Sequence, residues 1–359
     1  DNIAIGYQAM VTNTAGGTKN VAVGNYALDA LTSGDNNVAV GHDALTANTT
    51  ASSNTAIGRE AMKITTTGDS NVAVGSQSLL DNTTGAANVA IGTSALENNT
   101  TAANNTAVGT FAMIANTTGS GNVAIGKEAL TTVVGAIDNV AIGQQALKVN
   151  LGRSNVAVGG RAGLACTDGF TNVMVGEIAG ADVTTGDNNI LIGNEAGRTG
   201  SPGGSITTAN NILSLGDGNI ATANVQVDWT VASDKRDKTD VEPVKMGLDF
   251  VNKLEPVTYQ WDKRSKYGDK TADDYDLNAI VPDGTHKEDW KDVGFLAQDV
   301  EKLEEEYGHK ISDKTNLTTT LSGDEKQYGL TYAKFVPILT KAIQELSAEV
   351  EALKAKLAD

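Results

Sequence analysis

Few side chains in this sequence are equipped for chemistry, and most of those stand where they cannot act together. The three histidines, His42, His286 and His309, are too scattered to make a metal set or a catalytic triad. Cys166 is the only cysteine, so no intrachain disulfide forms, and it reads as a small buried hydrophobe. Acids recur in some turns, as in Gly34-Asp35-Asn36, Gly68-Asp69-Ser70 and Gly186-Asp187-Asn188, and such turns raise the question of calcium. A calcium solenoid repeats its Asp in every coil, whereas most of the corresponding loops here carry Thr or Ala. They read as solvated turns, with no metal and no cofactor. That leaves Ser233-Asp234-Lys235-Arg236-Asp237-Lys238, where a hydroxyl and an amine stand five positions apart. Ser and Lys at this spacing occur by chance in many proteins, and the bland reading is a helix N-cap beside a solvated amine. Positions i and i+5 do not face each other on a helix, so the two meet only through a turn or a neighbouring subunit.

The hexapeptide opens a stretch of different composition. Residues 1–232 hold 17 Asp+Glu and 8 Lys+Arg, and residues 233–359 hold 27 and 19, about three times more charge per residue. The net charges, −9 and −8, sum to −17. An acidic surface repels phosphate backbones, which excludes nucleic acid as a partner. No run of 18 or more apolar residues is present, and no charged start followed by an apolar stretch, so neither membrane insertion nor a signal peptide is expected. The chain starts without Met, and the expectation is a fragment or processed form with an anchor upstream. Its 359 residues exceed the usual size of one hydrophobic core, so at least two structural units are expected.

The first stretch is a repeat. Asn2-Ile-Ala-Ile-Gly6 returns as Asn20-Val-Ala-Val-Gly24, Asn37-Val-Ala-Val-Gly41 and onward to Gly193, twelve copies with glycine spacings of 18, seven of 17, then 16, 17 and 17. Most copies add a pair such as Ala27-Leu28, Ala44-Leu45 or Ala95-Leu96 after two intervening residues, then a Thr/Asn/Gly-rich loop. Each unit is a short strand, a bend permitted by Gly, a turn with an Ala-Leu knob and a polar loop. A few small apolar side chains cannot offset an ordering entropy of about 1–2 kcal/mol per residue, so the units must stack as a solenoid. The recurring Asn should form a hydrogen-bonded ladder along the stack. With only Tyr7, Tyr26, Phe111, Phe170 and Trp229 as aromatics in 232 residues, a wide core is excluded, and three chains sharing a narrow interior of small aliphatics would supply what one lacks. The repeat decays after Gly193 through the loop Arg198–Gly204 and an altered copy, Asn211-Ile-Leu-Ser-Leu-Gly216, and the alternation of Asn224–Val231 predicts a strand.

The chain ends on a helix whose Val336, Leu339, Ile343, Leu346, Val350, Leu353 and Leu357 fall at spacings of 3 and 4, an a/d seam over three heptads with Glu and Lys on its flanks. Such a seam reads as a partner interface. Its mixture of Ile, Val and Leu does not set the number of strands, and three is taken from the repeats.

Two resemblances add to this. The Asn-Val-Ala-Val-Gly…Ala-Leu units resemble the head repeats of trimeric bacterial adhesins and of certain phage fibre proteins, which implies a trimeric β-roll or β-prism. Ser233-Asp-Lys-Arg-Asp-Lys238 with Thr239–Val244, Val293-Gly-Phe-Leu-Ala-Gln-Asp-Val-Glu301 and Tyr332–Leu346 resemble, in order, the opening, central and closing motifs of the intramolecular chaperone domain, also called peptidase S74. Residues 262–292 and 304–329 read as variable surface insertions between them. The resemblance implies that Ser233 is the nucleophile, Lys238 its base and Ala232–Ser233 the bond cut. A lysine serves as base only when neutral, which takes burial or nearby positive charge. Arg236 could supply that charge or could bind Asp234 instead.

The resulting expectation is a mainly β fold. Residues 1–200 form a trimeric β-solenoid or β-roll shaft of about twelve 17-residue repeats, 201–232 a loop and terminal strands, 233–335 an α+β chaperone domain and 336–359 a trimeric coiled coil seamed by Leu339, Ile343, Leu346, Val350, Leu353 and Leu357. The function expected is that of a homotrimeric virion tail fibre or spike subunit attaching to a host. Its partners are other copies of itself, a host surface receptor, glycans included, and an upstream anchor. Catalysis would be limited to a single self-cleavage. The alternatives are a bacterial cell-surface adhesin with the same module and a chaperone that assembles without cutting. A membrane-tethered transcription factor would need a basic DNA-binding domain, and a glycosidase would need a deep pocket with paired acids.

Overall fold

The computed structural model describes every residue except Ala221, Val227, Asp228, Thr271, Asp273 and Asp359. Contacts divide the chain into two compact units, Asp1–Asp217 and Gly218–Asp359.

In the first unit the repeat becomes one parallel sheet of thirteen three-residue strands in chain order, from β1 (Ile3–Ile5) to β13 (Leu213–Leu215). The altered copy at Asn211–Gly216 thus supplies one more coil. Pairing is like on like: Ala22 lies beside Ala39, and Ala39 beside Ala56. Twelve steps of about 4.8 Å make a stack roughly 58 Å high. From β2 to β10 the central Ala of each strand points inward with the apolar residues of the turn, Met174 and Leu191 take its place in the next two strands, and these residues form one continuous core. The flanking Val and Ile point outward.

Residues 88–104 illustrate a coil. After the strand Val89–Ile91, Gly92 takes φ +130°, and a Cβ there would lie 2.7 Å from the backbone of Gly109 in the next coil, so both conformation and space demand glycine. Ser94, Leu96 and Asn104 follow in the left-handed region at φ 54°, 51° and 60°. Each such residue costs about 1 kcal/mol or more. All three are held by bonds to adjacent coils, Ser94 N to Ser76 O, Leu96 N to Ala112 O and Asn104 N to Ala86 O, at 3.0–3.1 Å. A coil alone would carry the strain without the bonds, which makes stacking cooperative.

The expected Asn ladder is present: Asn37 N donates to Asn20 Oδ1 at 2.8 Å, and Asn37 Nδ2 donates to Ala51 O at 2.9 Å. A second ladder runs beside it. Asn99 Nδ2 reaches Asn82 Oδ1 at 2.9 Å and Asn116 Nδ2 reaches Asn99 Oδ1 at 3.0 Å, all three side chains fully buried. Val133 occupies the next place, so Asn116 Oδ1 is left without a donor. Further down the same column Cys166 replaces Asn, with its thiol 3.7 Å from Gly169 O. Burial pushes that thiol up to about 12, and it stays protonated and inert.

The second unit is α+β. Helix α1 (Leu248–Lys253), α2 (Ala297–Glu306) and the 24-residue α3 (Phe335–Ala358) accompany two antiparallel pairs, β14 (Val257–Tyr259) with β15 (Asp292–Gly294) and β16 (Thr319–Leu321) with β17 (Tyr328–Leu330). Met246, Phe250, Val300, Leu303, Phe335 and Ile338 form its small core. Two expectations need correction. The strand expected over Asn224–Val231 is not found in the described residues, and Val227 and Asp228 of that segment lie outside them. Alternation supplies a face, but a strand also needs a neighbour to bond, and none pairs with this segment among the described residues. Residues 304–329 are also more than a surface insertion. Glu304 is fully buried, and its carboxylate accepts from Thr318 N at 2.6 Å, Thr318 Oγ1 at 2.7 Å and Thr319 Oγ1. It thereby ties the β16–β17 hairpin to α2.

Candidate functional site

Asp234 starts a single 3-10 turn over Lys235–Asp237, its side chain accepting from Arg236 N at 2.9 Å. Three helical residues are too few to carry Ser233 and Lys238 to opposite faces. The chain instead reverses, and Lys238 Nζ donates to Ser233 Oγ at 2.6 Å. The turn thus brings together the two residues singled out from the sequence, within one chain. Arg236 lies on the other side of the turn, where Nη2 meets Asp234 Oδ2 at 2.6 Å and Nε lies 3.1 Å from both carboxylate oxygens. This guanidinium, with the backbone bond from the same residue, holds the Asp234 carboxyl below its usual range. Of the two roles open to Arg236, binding Asp234 is the one the structure contains.

Ala232, Ser233 and Lys238 are all exposed. The arrangement therefore has a nucleophile, an amine in contact with it and an accessible peptide bond, but within the single chain nothing covers the pair. A hydroxyl can pass its proton to an amine at this distance once the amine is neutral.

The seam residues are likewise where a partner could reach them. Helix α3 carries two apolar stripes. Phe335, Ile338 and Ala342 are buried toward α1, and Glu345 on the same side accepts from Leu248 N at 2.7 Å, capping α1. That bond, followed by the ion pair to Lys341, holds the Glu345 carboxyl below its usual range. The other stripe, Val336, Leu339, Ile343, Leu346, Val350, Leu353 and Leu357, is 40–87% exposed. Sequence reading found this seam because it runs alone to the C-terminus. It missed Glu304 and Glu345, whose partners lie 14 and 97 positions away with no periodic signal. Among the described residues no group of three His, Cys, Asp or Glu is placed to hold a metal ion, and no helix is long and apolar enough to cross a membrane.

Residues 233–309 match the peptidase S74 family, the chaperone of endosialidase. The match starts at Ser233 itself and ends before α3. No curated protein matches the chain. A segment similar to this chaperone, placed after a parallel β-solenoid, fits a tail fibre with a C-terminal chaperone.

Proposed function

We propose that the chain is a subunit of a homotrimeric fibre or spike carried on a virion and used for host attachment, and that residues 233–359 are its intramolecular chaperone. The observation that carries this reading is the exposed seam of α3. Seven aliphatics in heptad register, left in water by a helix whose other stripe is already packed, are completed only by equivalent helices. A second apolar face supports it. The outward Val and Ile of the strands form two columns along the solenoid, with Ile57, Ile91, Ile125 and Ile142 each 37–40% exposed. In the second unit Ile220, Val225, Trp229 and Val231 are exposed as well.

Assembly completes the chemistry in this reading. A neighbouring subunit over Ser233 and Lys238 desolvates the amine, so cutting waits for a finished trimer. Ser233 Oγ adds to the Ala232 carbonyl carbon as Lys238 Nζ takes the hydroxyl proton. Collapse breaks the C–N bond, the Ser233 nitrogen takes the proton, and water hydrolyses the ester that remains. Release of the chaperone then removes the way back along the assembly path, a kinetic latch. Light scattering of the full chain, followed by a denaturing gel over time, tests both parts. A monomer would refute the fibre. A verified trimer that never yields fragments of residues 1–232 and 233–359 would leave an assembly module that does not cut, the second reading.

A further inference from the structure

The repeats align on one another, so departures from their common pattern can be read within the chain. Two positions before each ladder Asn the coils carry Asp35, Ser52, Asp69, Ala86, Ala103 and Ser120, all small; the next three carry Ile137, Arg153 and Phe170, and Asp187 restores the pattern. The coil between Gly143 and Gly159 is also the one shortened to a 16-residue spacing. The missing residue comes from the same corner, where Thr117-Thr118-Gly119 in an earlier coil corresponds to Leu151-Gly152.

The shortening breaks the backbone ladder at one place. Thr117 and Thr118 donate to Val134 O, and Leu151 and Gly152 donate to Thr167 O, but Val134 and Gly135 donate to no carbonyl of the coil that follows. A groove of about 520 Å³ opens there, lined by Gly135, Ile137, Leu151, Arg153, Asp168 and Phe170 among others. Arg153 Cζ sits 6.0 Å from the Phe170 ring centroid. Neither Arg153 nor Asp168 has an ion pair or a side-chain hydrogen bond, with each other or with any described residue.

The groove therefore offers an exposed aromatic ring, donors that cannot accept, an acceptor that cannot donate and the backbone N–H of Gly135, released from the ladder. Vicinal hydroxyls of a sugar ring satisfy both kinds of group at once, and the C–H face of a pyranose suits the ring. The volume is that of a small-ligand site. Arg153 and Asp168 cancel, and the chain as a whole carries −17, which disfavours a polyanion. The groove is built from the loop corner, not from the strand positions that carry the outward Val and Ile.

We infer that this corner binds one or two uncharged pyranose rings of a host-surface glycan. The site is complete within one chain, and only the source of the sugar rests on the fibre reading. The test applies full-length protein to an array of defined uncharged and carboxylated oligosaccharides, followed by calorimetry with the strongest uncharged binder. A Kd of about 10⁻⁴–10⁻³ M suits a shallow single site. Phe170→Ala and Asp168→Asn should each weaken binding about tenfold or more with thermal unfolding unchanged. Inserting Thr between Leu151 and Gly152 restores the 17-residue spacing and should abolish binding with the circular dichroism of the stack intact. The inference is overturned if no saccharide binds, if binding survives both Phe170→Ala and the insertion, or if carboxylated sugars are preferred. A disulfide between copies of Phe170→Cys would also overturn it, by putting a second copy in the groove. Light scattering on the same samples separates this from failure of the fibre reading, since a monomer that still binds sugar retains the site.

Discussion

Leu96 of the solenoid and Leu353 of α3 are the same residue type in opposite situations: the first is fully buried between coils of its own chain, the second is 58% exposed. The contrast extends across both units. Leu28, Leu45, Leu130 and Leu147 are sealed by the repeats before and after them, whereas the second unit closes one cluster around Phe250 and leaves its longest helix half in water. A repeating segment is completed by its neighbours in sequence. The seam of α3 has no such neighbour, and in the proposed assembly other copies complete it. The strained, interlocked coils need many bonds at once, and threading several such stacks together is non-local and slow, with strand edges open to aggregation. A seam that closes first raises the local concentration of everything upstream.

This contrast can be broken most severely by omitting residues 233–359 from the gene. The repeats should then lose at least about nine-tenths of their soluble yield, measured by fractionation, and what remains should scatter light as monomer. Normal yield of soluble trimer would remove the chaperone role. A narrower break replaces Ile343 and Leu346 with Asp. Since both are exposed in the single chain, the module should keep its helical signal while the trimer is lost. Phe250→Ala is the counterpart: Phe250 is fully buried, and its loss should cost about 3–5 kcal/mol and unfold the module itself. If both variants behave alike, the division between core and seam is wrong.

Smaller effects sharpen the comparison. Ser233→Ala and Lys238→Met should each run as full-length chain on a denaturing gel, with assembly unchanged, and should dissociate at a lower temperature than the cut fibre. In the solenoid, Val133→Asn continues the inner ladder to the unpaired Asn116 Oδ1. It should raise unfolding free energy by about 1 kcal/mol in denaturant titration. The smallest effect is on acid stability. Gln145, then Lys148, hold the Glu128 carboxyl at about 2, below its ordinary 4.5. A carboxyl depressed in the folded state contributes stability above its unfolded value and loses it as pH falls from about 4.5 toward 2. Glu128→Gln should flatten that limb of a melting-temperature profile, lowering the melting temperature slightly at pH 7 and leaving it unchanged near pH 2.

The amino-acid order alone determined the parallel stack, its like-on-like register and the outer Asn ladder, because in a fixed repeat each residue meets its own equivalent one period away. It also determined the α3 seam, whose 3-4 spacing needs no other segment to be recognised. The tertiary structure decided the rest. The left-handed conformations of Ser94, Leu96 and Asn104 are paid for by bonds from adjacent coils, and nothing in those residue types announces them. Glu304 and Glu345 are anchored by residues chosen by packing rather than by period. Ser233 and Lys238 meet because a 3-10 turn replaces the helix that their spacing would have defeated. The shortened coil was visible as one number in a series of glycine spacings, but only the stack shows that losing one residue there removes two ladder bonds and opens a groove.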